Sequence, residues 1–244
     1  MIASYERHSP SKLNLFNADP AMFFLQYVLG EEQPVNALMA RGSGVEDGVT
    51  HGLTDLAAPV KECAEVALTT YDGRMALSGD LRREKCRDTI PDMVATALTE
   101  LRQYGKPTGM QGLIEWHPDR LRLPIVGYYD YQWDEHGILA DLKTTEKMPS
   151  SIKFSHARQV AHYAVSDNID ARLIYLTPKK LEVYRLENVR HHREGLAAIA
   201  ESVEKFFALS DNLEVLKKHA LPNLDSFYWK DPQLRQRAYE IWNI

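Results

Sequence analysis

Two cysteines in 244 residues, Cys63 and Cys86, are too few and too far apart for a disulfide framework or a CxxC metal knuckle. No apolar run approaches the roughly 18 residues that a membrane-spanning helix needs. The opening segment MIASYERHSPSK lacks the apolar core of a secretory signal. These absences predict a reducing cytoplasm and no membrane partner. Positive charge is also short: 29 Lys and Arg against 34 Asp and Glu leave a net charge of −5. That argues against a protein that coats nucleic acid nonspecifically. It leaves room for an enzyme with a local basic groove, because acidic metal ligands themselves push the count negative. Internal repeats, low-complexity tracts and clear linkers are missing too, so one domain spanning 1–244 is expected. What remains, 44% hydrophobic and 26% charged residues, is the composition of a globular chain with a sizeable core.

The amino-terminal half reads as helical. Ser9 or Ser11 can cap a helix that offers Leu13, Phe16, Met22 or Phe23 and Tyr27 for packing. Pro20 divides it into two short helices and Gly30 ends the second. Residues 36–58 form the next helical candidate. Its Gly42, Gly44, Gly48 and Gly52 each cost about 1 kcal/mol against alanine in a helix interior. That spacing predicts close packing against another backbone or a substrate. Further helices are expected over 60–70 and 80–103, separated by a turn at Tyr71-Asp72-Gly73. From there the pattern changes. GLIEWHP, LRLPIVGYYDYQW and GILADLKT read as successive strands, SSIKFSHARQVAHYAVS as a crossover helix, and ARLIYLTPKKLEVYRL as two strands around Thr177-Pro178-Lys179-Lys180. A long helix from about Asn188 to Ser210 and a short one near Pro232 to Trp242 close the chain. The sum is a mixed α/β domain in three parts: a mainly helical 1–105, a sheet with its crossover helix over 106–187, and carboxy-terminal helices over 188–244.

Within GYYDYQWDEHGILADLKTT, charge sits where a buried hairpin would not want it. Asp134-Glu135-His136-Gly137 has the composition of a hairpin loop, yet Asp130, Asp141 and Lys143 lie among apolar neighbours. Aspartate and lysine are poor strand formers and costly to bury unless paired or metal-bound. Strand alternation puts Asp141 and Lys143 on one face and Leu142 on the other, and normal pairing brings Asp130 to the same end of the sheet. Two carboxylates and an ammonium there suit a hard divalent cation such as Mg²⁺. A solvated Asp–Lys ion pair is the plain alternative for the tripeptide alone.

Upstream, Glu46 lies in the glycine-studded helix. Downstream, Gln159 and Tyr163 are four apart on the crossover helix and share a face. Taken in order, SPSKLNLFNADPAMFFLQYVLG, ARGSGVEDGV, GYYD, ADLKTT and QVAHY resemble the PD-(D/E)xK nuclease superfamily, and within it the RecB-like and phage, lambda-exonuclease-like branch. The resemblance implies a restriction-endonuclease-like core, with a mixed β-sheet flanked by helices and a helical N-terminal region. It implies a Mg²⁺-dependent DNA exonuclease, with Mn²⁺ able to substitute, acting on duplex ends in phage-type recombination or repair. Asp130 then matches the first strand aspartate, Asp141 the acidic position of DxK, and Lys143 the catalytic lysine. Leu142 matches the position whose backbone carbonyl joins the metal's ligands. Gln159 and Tyr163 fall on the QxxxY motif beside the DNA end. Glu46 takes the metal-ligand position that a histidine holds in many RecB-like members. Arg158 and His156 on the crossover helix, and Lys147 and Lys153 after the DxK strand, are candidates for phosphate contacts.

Asp47, His51 and Asp55 form their own i, i+4, i+8 stripe, which could bind a metal but reads first as a solvated helix face, so Glu46 is kept as the ligand with His51 as its substitute. The site that carries a cysteine in many relatives reads Ala18-Asp19-Pro20, and no cysteine follows Cys86. An iron–sulfur cluster takes about four thiolates, so none is expected. The resemblance also allows a homo-oligomer and a single-strand annealing protein as partner, with the host cytoplasm as compartment for a phage-encoded chain. A structure- or sequence-specific endonuclease and a non-catalytic DNA-binding member of the same fold remain the alternatives.

Overall fold

The computed structural model describes residues 5–164 and 169–244. The chain divides into two compact units. One comprises Met1–Gln33, Ile114–Gly127 and Arg190–Ile244, the other Pro34–Leu113 and Tyr128–Val189.

The first unit is built from helices α1 (Pro10–Ala18), α2 (Pro20–Tyr27), α8 (Val189–Ala208), α9 (Leu213–Lys218) and α10 (Pro232–Trp242). Pro20 does end α1, and the residue before it explains how. Asp19 closes α1 and its carboxylate caps α2 by accepting from the Met22 amide at 2.9 Å. The same buried carboxylate accepts from Ser226 Oγ at 3.0 Å and Trp229 Nε1 at 2.8 Å, fastening the carboxy-terminal segment to the amino-terminal helices. Ser9 is the cap of α1. The periodicity missed α9.

The second unit holds α3 (Ala37–Thr54), α4 (Val60–Met75), α5 (Arg83–Asp88), α6 (Ile90–Leu101) and α7 (Phe154–Tyr163). Strands β1 (Gly109–Trp116), β2 (Ile125–Trp133), β3 (Ile138–Thr144), β4 (Asp170–Leu176) and β5 (Leu181–Arg185) form one sheet in that order. The β2–β3 and β4–β5 pairs are antiparallel, and β3–β4 is parallel, bridged by α7. The crossover helix is thus shorter than the segment 150–166 predicts, and Val165 and Ser166 lie outside the described residues. A mixed sheet with helices against it and a helical amino terminus is the restriction-endonuclease-like α/β fold.

Two helix boundaries differ from expectation for definable reasons. No turn forms at Tyr71-Asp72-Gly73; α4 runs through it. Tyr71 is fully buried with its hydroxyl donating to Arg83 O at 2.7 Å, and Asp72 forms a two-pronged pair with Arg87. Tertiary contacts override the turn-like composition. The 80–103 segment splits instead, at Thr89, because Pro91 is accommodated only in the first turn of α6.

The glycines of α3 serve mainly helix–helix contact. A Cβ on Gly44 would lie 2.6 Å from Ala67 O, and one on Gly48 would lie 2.5 Å from Cys63 O, both in α4. Only Gly42 faces the sheet, where a Cβ would meet Thr144 Oγ1 at 3.3 Å. Gly48→Ala should therefore destabilise the protein by ~1–3 kcal/mol through overpacking. Gly73→Ala, inside α4 with open space around it, should gain up to ~1 kcal/mol. Chemical denaturation of the two variants checks the contrast in sign.

Candidate active site

The hairpin of β2 and β3 positions the charged residues. A short 3₁₀ turn over Asp134–His136 ends at Gly137, whose φ of 61° is the left-handed conformation that such a connection needs. It sets Trp133 opposite Ile138, Gln132 opposite Leu139 and Tyr131 opposite Ala140. One step further, the same register faces Asp130 with Asp141. There the backbone ladder stops. The Leu142 amide donates to Asp130 Oδ2 at 2.7 Å, so a side chain takes the place of a ladder carbonyl.

Both aspartates are inside, Asp130 at 7% exposure and Asp141 at 0%. Among the described residues neither oxygen of Asp141 accepts a well-aligned hydrogen bond. Its one close cation among the described residues is Lys143, with Nζ 2.6 Å from Oδ2 and the lysine side chain 24% exposed. Helix α3 adds the third carboxylate. Fully buried Tyr131 meets Thr50 Oγ1 at 3.0 Å and donates weakly to Glu46 O at 3.4 Å, fixing that turn of the helix beside β2. Glu46 accepts from the side-chain amide of Gln111 on β1.

The charges feel one another. Burial pushes Asp130 well above the usual carboxylate range, and Asp141 pushes it further, against the pull of Lys143. Glu46 is raised for the same first reason, with Lys143 and the Gln111 amide opposing. Burial would lower Lys143, but Asp141 and Asp130 outweigh it and hold the ammonium above its ordinary value. Three carboxylates against one ammonium leave an excess of negative charge in a poorly hydrated place. Asp141, fully buried with Lys143 on one oxygen alone, makes that set a fit for a hard divalent cation. The carboxylates are not already drawn into a cage: among the described residues no three His, Cys, Asp or Glu side chains form one. Each is held separately, Glu46 by Gln111, Asp130 by the Leu142 amide and Asp141 by Lys143.

Helix α7 lies beside this group. Gln159 Nε2 donates to Tyr163 Oη at 2.9 Å, as i, i+4 spacing allows. Tyr163 is 2% exposed, and burial followed by the nearby Asp141 raises its phenol. Arg158 sits half-buried on the same helix and burial lowers it. His156 Nδ1 meets Tyr175 Oη at 2.8 Å, and Tyr175 is the β4 partner of Lys143 in register. Burial, then Lys143 and Lys153, bring His156 down to about 4. Lys147 and Lys153 are exposed after β3.

The rival stripe disperses. His51 Nε2 pairs with Glu62 of α4 at 2.8 Å, Asp47 accepts from Thr70 at 2.6 Å, and Asp55 accepts from the Ala57 amide at 2.9 Å. Tyr131, Thr50, Tyr175 and Gln111 also stand around this group and do not stand out in the sequence as site residues. For Tyr131 there was a signal, an aromatic one place from an aspartate in a core strand; for Gln111 there was none.

A protein-family model described as the PD-(D/E)XK nuclease superfamily matches residues 7–229. Among curated proteins none matches. A solved structure described as "Crystal structure of SSO0001" is similar at 12% identity, over 79% of this chain and 84% of that one, with a TM-score of 0.32. That likeness is too slight to bear on fold or function.

The raised Asp130 has a consequence for stability. An acid whose folded value exceeds its unfolded 3.8 favours folding below that pH and loses the contribution as pH rises towards the folded value. His156, lowered from 6.5 to about 4, has the opposite slope, so absolute curves mix the two. The difference between variants removes the His156 contribution that both share and leaves Asp130 together with the charges it acts on. Asp130→Asn, whose amide oxygen can still accept from Leu142, should be more stable than wild type without metal by ~0.5–2 kcal/mol at neutral pH. The advantage should shrink towards pH 4. Thermal unfolding across pH in chelator measures it.

Proposed function

Because the chain belongs to the PD-(D/E)XK nuclease superfamily, we propose that it is a divalent-metal-dependent deoxyribonuclease, and an exonuclease acting on duplex ends. What carries the reading is Asp141: fully buried, without a well-aligned hydrogen bond, facing a second carboxylate and touched by one lysine. A structural ion pair would not need the second aspartate. The exonuclease assignment, and with it the RecB-like, phage-type branch and a role in recombination or repair, rests on the sequence resemblance across ARGSGVEDGV, ADLKTT and QVAHY.

The family typically uses divalent metals, and Glu46, Asp130, Asp141 and the Leu142 carbonyl are the groups here that would hold Mg²⁺ or Mn²⁺. Such an ion, when bound, polarises the phosphate and lowers the pKa of a bound water. The chain's own residues do the rest. Lys143 is held protonated by Asp141 and Asp130, so it acts as a donor to the scissile phosphate and stabilises charge that develops there, rather than accepting a proton. Tyr163, buried next to Asp141, accepts from Gln159, and this hydrogen-bonded pair is the group suited to orienting a DNA end. Arg158 supplies positive charge on the same helix. Two thiols do not suffice for an iron–sulfur cluster, and none is assigned a role.

Purified protein with Mg²⁺ should degrade linear duplex DNA and leave covalently closed circles intact. Cleavage of closed circles would remove the exonuclease reading and favour an endonuclease. Lys143→Ala should lower turnover by ~10²–10³-fold yet bind Mn²⁺ like wild type in calorimetry, whereas Asp141→Ala should lose both. Equal loss of metal affinity in the two variants would show that Lys143 serves the metal rather than the phosphate.

A further inference from the structure

Strand β1 carries a residue whose backbone is out of place. Gln111 has a φ of 51°, in the left-handed region that residues with a Cβ enter at a cost. The strand is crowded on either side of it. A Cβ on Gly109 would lie 2.3 Å from Tyr129 Oη, and one on Gly112 would lie 2.2 Å from Tyr129 Cζ. The phenol of Tyr129 therefore lies across β1 at both glycines, one residue before Asp130 on β2. Between the glycines the backbone turns and the Gln111 side chain reaches α3, where Nε2 donates to Glu46 Oε1. Among the described residues this amide is the one hydrogen-bond donor to the Glu46 carboxylate.

Glycine or asparagine would meet that backbone conformation at lower cost. What both lack is the reach to Glu46. The side chain, then, rather than the turn, accounts for a glutamine here. We infer that Gln111 is a positioning residue of the site: its amide holds the Glu46 carboxylate in one orientation in the metal-free protein and presents it as a pre-oriented ligand to a divalent cation. The inference rests on Glu46 being a ligand, as proposed above. Groups that orient a ligand in this way typically change metal affinity or activity by ~10–100-fold when removed.

Gln111→Asn and Gln111→Gly test the reach, with Glu46→Gln beside them. Both Gln111 variants should unfold at or above the wild-type temperature, because each relieves the left-handed strain. Both should bind Mg²⁺ ~10–100-fold more weakly by calorimetry, with kcat recovering at saturating Mg²⁺. Wild-type Mg²⁺ affinity in Gln111→Asn, while Glu46→Gln is impaired, would overturn the positioning role and leave Glu46 as ligand. Wild-type affinity in Glu46→Gln would overturn the premise and the inference with it. A melting temperature that falls together with affinity in both Gln111 variants would make Gln111 a scaffold residue and also sink the proposal.

Discussion

Like charges buried against each other govern this molecule. Asp130 and Asp141 lie just beyond the last paired residues of a hairpin, close enough for one charge to act on the other, and neighbouring like charges destabilise a strand pair. The consequences are visible in the backbone. The ladder ends at Tyr131 and Ala140, and the Leu142 amide turns to the Asp130 carboxylate because a bare buried carboxylate would cost more than a lost rung. Lys143 is drawn onto Asp141, and Asp130 is left with a strong hold on its proton.

The rest of the second unit is arranged to keep that conflict in place. The hydrophobic core beneath it contains Tyr131, Trp133, Ala140, Leu142 and Ile174 from three neighbouring strands, with Val45, Val49 and Leu53 of α3. The close approach of α3 to α4 at Gly44 and Gly48 locks the helix that carries Glu46. Tyr131 then fastens that helix to β2 through Thr50 and the Glu46 carbonyl. Strain from the charges is thus resisted by apolar packing on the same elements, the usual way in which a destabilised site persists.

Much of this was legible in the sequence, because the charges break a strand pattern and broken patterns are visible. Asp130, Asp141 and Lys143 stood out against Val126, Ile138, Leu139 and Leu142, and alternation fixed their shared face. The four glycines of α3 announced close packing, though not its partner: three meet helices α4 or α6 and one the sheet. The α4 boundary was hidden because burial of Tyr71 and the Asp72–Arg87 pair outweigh local turn preference. Gln111 was hidden for a deeper reason. Its contact with Glu46 spans 65 positions and is made from a left-handed backbone, so no local pattern encodes it.

A carboxylate on α3 in place of an imidazole changes the charge balance of the site. With all three carboxylates ionised and Lys143 protonated, the group carries two negative charges, the complement of a divalent ion. A neutral histidine at position 46 would leave one. Full ionisation is not the resting condition, however, since burial and Asp141 raise Asp130, and burial also raises Glu46. A cation held as proposed would therefore compete with protons for the same oxygens, which would tie its affinity to pH. Within that competition the Gln111 amide favours the charged form of Glu46 without adding a positive charge that would repel a cation, whereas Lys143 opposes Asp130's hold on its proton only by bringing such a charge.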